Sequence, residues 1–165
     1  MKRPVPTKKR SKLPKTAARP AQKAQANSSP PGATSDSKLR PGLEGSIERV
    51  VLQEWTIASL DPRLPAVLST PHMIGLMEIA AAQAILAELP LGAISVGTRI
   101  EVDHLKAVPA GATVRATARL VEHEGRFLVF DVEARSGVHL IGRGRVFRAV
   151  VEPRKFHADA HSRTS

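Results

Sequence analysis

The stretch STPHMIGLMEIAAAQAI, residues 69–85, predicts a helix that is apolar around almost its whole circumference. Such a helix is enclosed by other parts of the protein instead of lying on its surface. Thr70 and Pro71 are typical of an N-cap followed by the first helical residue. The segment 90–92, Pro-Leu-Gly, indicates where the helix ends. The stretch therefore predicts a domain built around one buried helix.

One carboxylate, Glu78, interrupts this apolar helix. Burying a carboxylate costs free energy unless the group is hydrogen-bonded or paired, and such groups concentrate at functional sites. From the residues alone, Glu78 either takes part in chemistry or reaches solvent at an edge of the domain. Thr70 lies eight positions earlier and can cap the helix and serve as a functional hydroxyl at the same time.

The segment after the helix alternates between apolar and polar residues, which predicts a β-strand. One face of this strand is formed by Ile94, Val96, Thr98, Ile100, Val102 and His104. His104 is therefore predicted to point toward the core. A lone histidine there is either a core residue with a satisfied hydrogen bond or a catalytic group.

Further strands are predicted on both sides of this one. Three later segments alternate in the same way, 112–120, 127–135 and 139–151, with turns indicated at 124–125 and 136–137. Residues 46–56 are rich in β-branched side chains and predict a strand before the helix. We therefore expect an α+β hotdog fold, in which a curved antiparallel sheet wraps around a long central helix.

Charge is distributed unevenly along the 165 residues. Residues 1–40 hold 11 Lys and Arg against the single acid Asp36, whereas the rest of the chain holds 14 basic and 14 acidic residues, so the tail carries the net charge of +10. The tail has no aromatic residue and cannot bury enough apolar surface to offset the entropy of ordering. We expect a disordered basic tail over 1–40, a domain over 41–156 and a flexible end over 157–165.

Three interpretations of the tail remain open: a solvated extension, a weak electrostatic contact with nucleic acid or another anionic surface, and a targeting peptide. The sequence has no cysteine, which excludes disulfides, thiolate nucleophiles and cysteine zinc sites. No segment has the roughly 18–20 apolar residues of a membrane span, and the histidines lack metal-site spacing. We expect a cytoplasmic protein without a metal or cofactor.

Three segments together resemble the hotdog thioesterases of the fluoroacetyl-CoA thioesterase type, over roughly residues 45–156. The segments are STPHMIGLMEIAAAQAI, VGTRIEVDHLKAVPAGATV and VEHEGRFLVFDVEARSGVHLIGRGRVFRAVV. The resemblance implies hydrolysis of a small or medium acyl-CoA. By motif, it places the catalytic residues at Thr70, Glu78 and His104, and Gly97 at the position whose backbone faces the substrate thioester. It also implies a homodimer with active sites built between two protomers.

Thioester hydrolysis needs a nucleophile or an activated water, a group that transfers protons near neutral pH, and dipoles that stabilise the oxyanion. Imidazole suits the proton transfer, so His104 fits that role. Glu78 can attack the thioester directly or deprotonate water, and Thr70 can orient the carboxylate. The residues do not decide between these two routes.

Two positions bear on substrate choice. The family's aromatic gate residue, six positions before the threonine, is replaced by Leu64, which predicts weak selectivity for fluoroacetyl-CoA. Arg148 either contacts a phosphate of CoA or faces solvent from the sheet.

Two alternatives belong to other classes of protein. An enoyl-CoA hydratase would need a cooperating Asp/His pair, but Asp103 and His104 are adjacent on a strand and therefore point to opposite faces. The other alternative is a non-enzymatic acyl-CoA-binding module whose basic tail contacts nucleic acid, with salt-sensitive binding.

Overall fold

The computed structural model describes residues 38–153. Most of the predicted tail, 1–37, and the predicted flexible end, 157–165, lie outside the described residues. Leu39 is buried in the core and Gly42 donates a backbone hydrogen bond to Leu120 at 2.8 Å. The packed part of the chain therefore includes residue 39, before the predicted domain start at 41.

The described chain forms one long helix and a five-stranded antiparallel sheet. In chain order the elements are β1 (Glu44–Val50), α1 (Thr70–Ile85), β2 (Ile94–His104), β3 (Thr113–Glu124), β4 (Phe127–Ser136) and β5 (His139–Val151). The strand order in the sheet is β1-β3-β4-β5-β2, so that β1 and β2 are the edge strands. This arrangement confirms the predicted hotdog fold.

The helix α1 packs on the inner face of the sheet and forms the core with it. The helix contributes Met73, Met77, Ala80, Ala81 and Ile85, and the sheet contributes Val114, Ala116, Leu120, Phe130 and Val132, all of them at most 2% exposed. The predicted alternation of β3 and β4 is thereby confirmed. Close packing needs small residues, since a Cβ added to Gly45 would collide with the helix backbone at Ala80 and Ala84.

Two predicted boundaries are wrong. The strand predicted over 46–56 runs from Glu44 to Val50. Val51 still exchanges backbone hydrogen bonds with Gly111 and Ala112, but the chain then enters a 3-10 turn at Gln53–Trp55 and leaves the sheet. The N-cap is Ser69, and Thr70 is already helical. The Ser69 hydroxyl contacts His72 Nδ1 at 2.8 Å instead of a backbone N–H, so sequence rules for caps did not identify it.

The predicted enclosure of α1 on all sides is also wrong within the described chain. Ile79 is 45% exposed, and Pro71 and Gln83 are exposed on the same side. A sheet of five strands covers only one side of the helix, so the other side stays open in this chain.

A β-bulge divides β2 into two parts with opposite alternation. The register against β5 shifts between Gly97 and Arg99, so one residue is inserted there. After the bulge, Ile100 pairs with buried Val146 and shares that face of the sheet with His104 as predicted, although Ile100 itself is 42% exposed near the strand edge. Before the bulge the helix-facing set is Ser95 and Gly97, so the predicted inward positions of Ile94 and Val96 are wrong, and Ile94 is exposed.

Candidate active site

Thr70 and His104 form the first pair of polar side chains near the helix. Thr70 is the first residue of α1 and His104 is the last residue of β2. Their side chains meet with 2.9 Å between Oγ1 and Nδ1. Gly142 lies opposite His104 on β5, and an added Cβ there would lie only 2.5 Å from Met73 Sδ. The end of the Met73 side chain, in the first turn of α1, therefore packs directly on the backbone beside His104.

The second ring nitrogen of His104 is the notable feature of this pair. Nε2 is buried and has no hydrogen-bond partner among residues 38–153. Buried polar nitrogens are nearly always satisfied, so an unsatisfied one indicates a position for a ligand atom or water. Thr70 engages Nδ1, which leaves Nε2 to exchange a proton with a bound molecule.

Glu78 and Arg148 form the second pair. Arg148 Nη1 lies 3.4 Å from Glu78 Oε1 and also 3.4 Å from the backbone carbonyl of Glu78. The arginine side chain is 8% exposed and the glutamate side chain 33%. Of the two alternatives for Arg148, the one in which it faces solvent is therefore wrong, and the contact with a phosphate of CoA stays a prediction. Burial lowers the pKa of the Arg148 guanidinium below its ordinary value, and the Glu78 carboxylate opposes that shift.

Gly97 brings the backbone of β2 against the Glu78 carboxylate. A Cβ at Gly97 would collide with Glu78 Oε1, so only glycine fits this position without moving the carboxylate. A cavity of about 350 Å³ opens beside them, lined by Glu78, Gly97, Thr98, Arg99 and Ile100. The carboxylate therefore borders an open space beside the edge strand β2.

The two pairs are separate within the chain. Thr70 and Glu78 are eight residues apart on one helix, which corresponds to roughly 12 Å along its axis. No hydrogen bond or ion pair joins the two pairs within residues 38–153. The structure thus brings Thr70 to His104 and Glu78 to Gly97, and leaves a gap between these groups.

Leu64 lies in the loop that precedes α1 and is 43% exposed. The loop is held by Asp61, whose backbone carbonyl accepts a hydrogen bond from Leu64 N at 2.9 Å. Arg63 pairs with Asp61 at 2.7 Å and holds the pKa of that carboxyl below its ordinary value, with the Arg63 backbone N–H contributing. Leu64 is thus carried on an exposed but locally ordered loop.

Sequence reasoning missed two contributors to this region. His72, which received no role, stacks on Trp55 with 5.7 Å between ring centroids. Ser95, which also received no role, binds the guanidinium of Arg148. The signal for Ser95 was its position two residues before Gly97 on the same strand, which places both on one face.

Within the described part of the chain, no group of three or more His, Asp or Glu side chains could hold a metal ion. No helix of that part is long and apolar enough to cross a membrane.

Comparisons with known proteins agree on one family. Residues 51–154 match the family model described as fluoroacetyl-CoA-specific thioesterase. The chain is 44% identical over 132 residues to the fluoroacetyl-CoA thioesterase of Streptantibioticus cattleyicolor, covering 76% of this chain and 95% of the relative.

Solved structures give the same result. A solved structure of a fluoroacetyl-CoA thioesterase superposes with a TM-score of 0.70 at 38% identity, covering 77% of this chain and 98% of that one. A thioesterase superfamily member from Thermus thermophilus superposes with a TM-score of 0.70 at 31% identity, covering 76% and 93%.

Proposed function

Because the chain belongs to the family of fluoroacetyl-CoA-specific thioesterases, we infer that it is an enzyme that hydrolyses acyl-CoA thioesters to a free acid and CoA. The comparisons with thioesterases support hydrolysis and give no support to the alternative of a binding module that contacts nucleic acid. The substrate is an acyl-CoA with a small or medium acyl group, in keeping with the cavity of about 350 Å³ beside Glu78.

Glu78, His104 and Thr70 are the residues to which we assign the chemistry. In the water route, Glu78 takes a proton from a water molecule while the oxygen of that water forms the new bond to the thioester carbon. The C–S bond then breaks, and Nε2 of His104 supplies the proton that the CoA sulfur requires. Thr70 holds the other ring nitrogen. The observation that carries this assignment is the buried and unsatisfied Nε2 of His104.

In the covalent route, Glu78 attacks the carbonyl carbon itself and forms a mixed anhydride, which water then hydrolyses. A single turnover in H₂¹⁸O separates the two. The water route leaves the label only in the released acid. In the covalent route, attack of water on the glutamyl carbon of the anhydride puts the label into Glu78 and releases unlabelled acid, so label in Glu78 demonstrates the covalent route. Backbone groups near Gly97 are the proposed contact of the thioester.

We assign the active form as a homodimer. Among the described strands, β2 has a neighbour on one side only, and proteins usually cover such an edge. On the open side of α1, Ile79 is 45% exposed. A second copy on these surfaces would bring Glu78 of one protomer toward the Thr70–His104 pair of the other and close the gap between the groups.

A mixing experiment tests both the activity and this shared site. Glu78→Gln and His104→Ala are each expected to be inactive in release of free thiol from a panel of acyl-CoAs. Refolded together, they regain about a quarter of wild-type activity, since half of the dimers carry one intact site of two. Absence of any regained activity would place all three groups in one protomer, and a wild-type protein without thiol release would refute the proposed function.

A further inference from the structure

Ser95 binds two of the three nitrogens of the Arg148 guanidinium. Its hydroxyl accepts a hydrogen bond from Nε at 3.1 Å, and its backbone carbonyl accepts one from Nη2 at 2.9 Å. The remaining nitrogen, Nη1, is directed at Glu78, with 3.4 Å to the carboxylate and 3.4 Å to the backbone carbonyl. The planar guanidinium thus lies between Ser95 and Glu78.

The distances indicate which partner fixes the orientation of Arg148. Contacts of 3.4 Å lie beyond the usual range of N–H···O hydrogen bonds, whereas those to Ser95 lie within it. Arg148 is 7% exposed, so water does not replace a lost partner easily. Because the guanidinium is planar and rigid, fixing Nε and Nη2 also fixes the direction of Nη1.

The β-bulge in β2 explains why Ser95 is available for this contact. The bulge between Gly97 and Arg99 reverses the alternation of the strand. Ser95 and Gly97 therefore face the helix together, and Gly97 contacts the carboxylate that Arg148 pairs with. The bulge therefore places the Gly97 backbone beside Glu78 and also places Ser95 where it binds Arg148, the partner of Glu78.

We propose that Ser95 is a positioning residue for thioester hydrolysis, which holds Arg148 against Glu78 so that the carboxylate keeps its orientation beside Gly97. The inference rests on the proposed role of Glu78. Removing the hydroxyl leaves the buried Nε–H without an acceptor, so the guanidinium turns toward other partners and Glu78 loses its fixed neighbour. Since Ser95 acts through Arg148, the loss falls on kcat and leaves KM nearly unchanged.

Ser95→Ala and Ser95→Thr form a matched pair, because threonine keeps the hydroxyl. We expect Ser95→Ala to lower kcat by about 10-fold with KM within about 2-fold, and Ser95→Thr to restore kcat to within about 3-fold of wild type. In an Arg148→Lys background, Ser95→Ala should cost less than about 2-fold, since the partner is gone. An equal loss of kcat in both backgrounds, or an unchanged kcat with only a lower Tm, would overturn the inference.

A second measurement does not depend on turnover. The Nε–H resonance of Arg148, identified by its absence in Arg148→Lys, should exchange slowly with solvent in the wild type and in Ser95→Thr, and rapidly in Ser95→Ala. Slow exchange in Ser95→Ala contradicts the inference even if the enzyme is active. A wild type without thiol release would refute the proposed function, while this resonance would still test the contact.

Discussion

The two polar pairs on α1 differ in how completely the protein satisfies them. Arg148 lies buried against Glu78 with each of its three nitrogens near an acceptor. His104 has one nitrogen bound to Thr70 and the other, Nε2, buried without a partner within the described residues. The Glu78–Arg148 pair is thus satisfied within the protein and borders the cavity. The Thr70–His104 pair keeps one nitrogen for a bound molecule.

This difference separates two ways of preparing a catalytic group. A carboxylate beside a buried cation is held in one orientation before substrate arrives, which lowers the cost of organisation during the reaction. An imidazole with one free nitrogen is held by its other side and keeps its capacity to accept and donate a proton. Substituting Glu78 or Arg148 should therefore lower both the stability and the catalytic rate, whereas substituting His104 should lower mainly the rate.

The largest effect is expected for Glu78→Gln. Loss of the carboxylate removes the group that attacks or deprotonates water, so kcat/KM should fall by about 10³-fold or more. It also leaves Arg148 as a buried charge without its counterion, so the Tm should decrease. Thiol release and thermal unfolding measure the two effects. The matched control is Glu101→Gln, a partly exposed carboxylate on β2 that pairs with Arg99. Near wild-type turnover in Glu78→Gln contradicts the assignment.

A slightly smaller loss is expected for His104→Ala. Without the imidazole, the departing sulfur has no proton donor, and kcat should decrease by about 10²–10³-fold. Within residues 38–153 the side chain of His104 makes one hydrogen bond, to Thr70, and carries no ion pair, so its removal should change the Tm far less than Glu78→Gln does. The control is His139→Ala at an exposed strand end. If the two active-site variants lower the Tm equally, the contrast between the pairs is wrong.

Gly97→Ala tests the contact between β2 and the carboxylate. The added Cβ would collide with Glu78 Oε1, so the carboxylate must rotate, and we expect kcat to fall by about 10–100-fold. The reference is the wild-type enzyme at equal thermal stability. A kcat of Gly97→Ala within about 2-fold of wild type would show that Gly97 does not constrain Glu78.

Much of the fold follows from local patterns. The alternation in β3 and β4 predicts their buried faces, because each residue on one face contacts the core directly. The bulge in β2 was not predictable in the same way. The single inserted residue, Thr98, reverses the alternation. The sequence on both sides of it nevertheless fits the pattern of one regular strand, so the pattern does not predict the bulge.

The site shows a similar limit. Thr70, Glu78 and His104 were singled out from their positions in the helix and strand patterns, and the resemblance assigned them catalytic roles. Burial of Arg148 was missed, because arginines on sheets usually face solvent. Its partner Glu78 is 70 positions away, so no local pattern connects them. Contacts between residues so far apart in the sequence depend on the register of the whole sheet.

A smaller effect, on stability, separates two truncations near the start of the domain. A chain that begins at Lys38 keeps Leu39, whereas one that begins at Pro41 loses it. Leu39 is 6% exposed and its carbonyl contacts His123 Nδ1 at 3.0 Å. We expect the shorter chain to melt about 5–10 °C lower, since a buried leucine contributes about 1.5–3 kcal/mol. Equal Tm values would show that Leu39 contributes little.

The smallest change is expected at Leu64, which bears on selectivity and not on either pair. Leu64 is 43% exposed on a loop held by Asp61 and Arg63, and it fills less space than an aromatic side chain at that position. Packing distinguishes one small substituent by only about 1–3 kcal/mol, so the wild-type ratio of kcat/KM for fluoroacetyl-CoA over acetyl-CoA should stay below roughly 200.

Leu64→Phe should raise this ratio by closing the acyl site more tightly, while the activity on acetyl-CoA stays within about 10-fold of wild type. The control is Leu60→Phe, because Leu60 lies in the same loop and is 81% exposed. A wild-type ratio of many thousand would contradict this reasoning. Selectivity of that size exceeds what packing at Leu64 provides, and would have to arise elsewhere in the site.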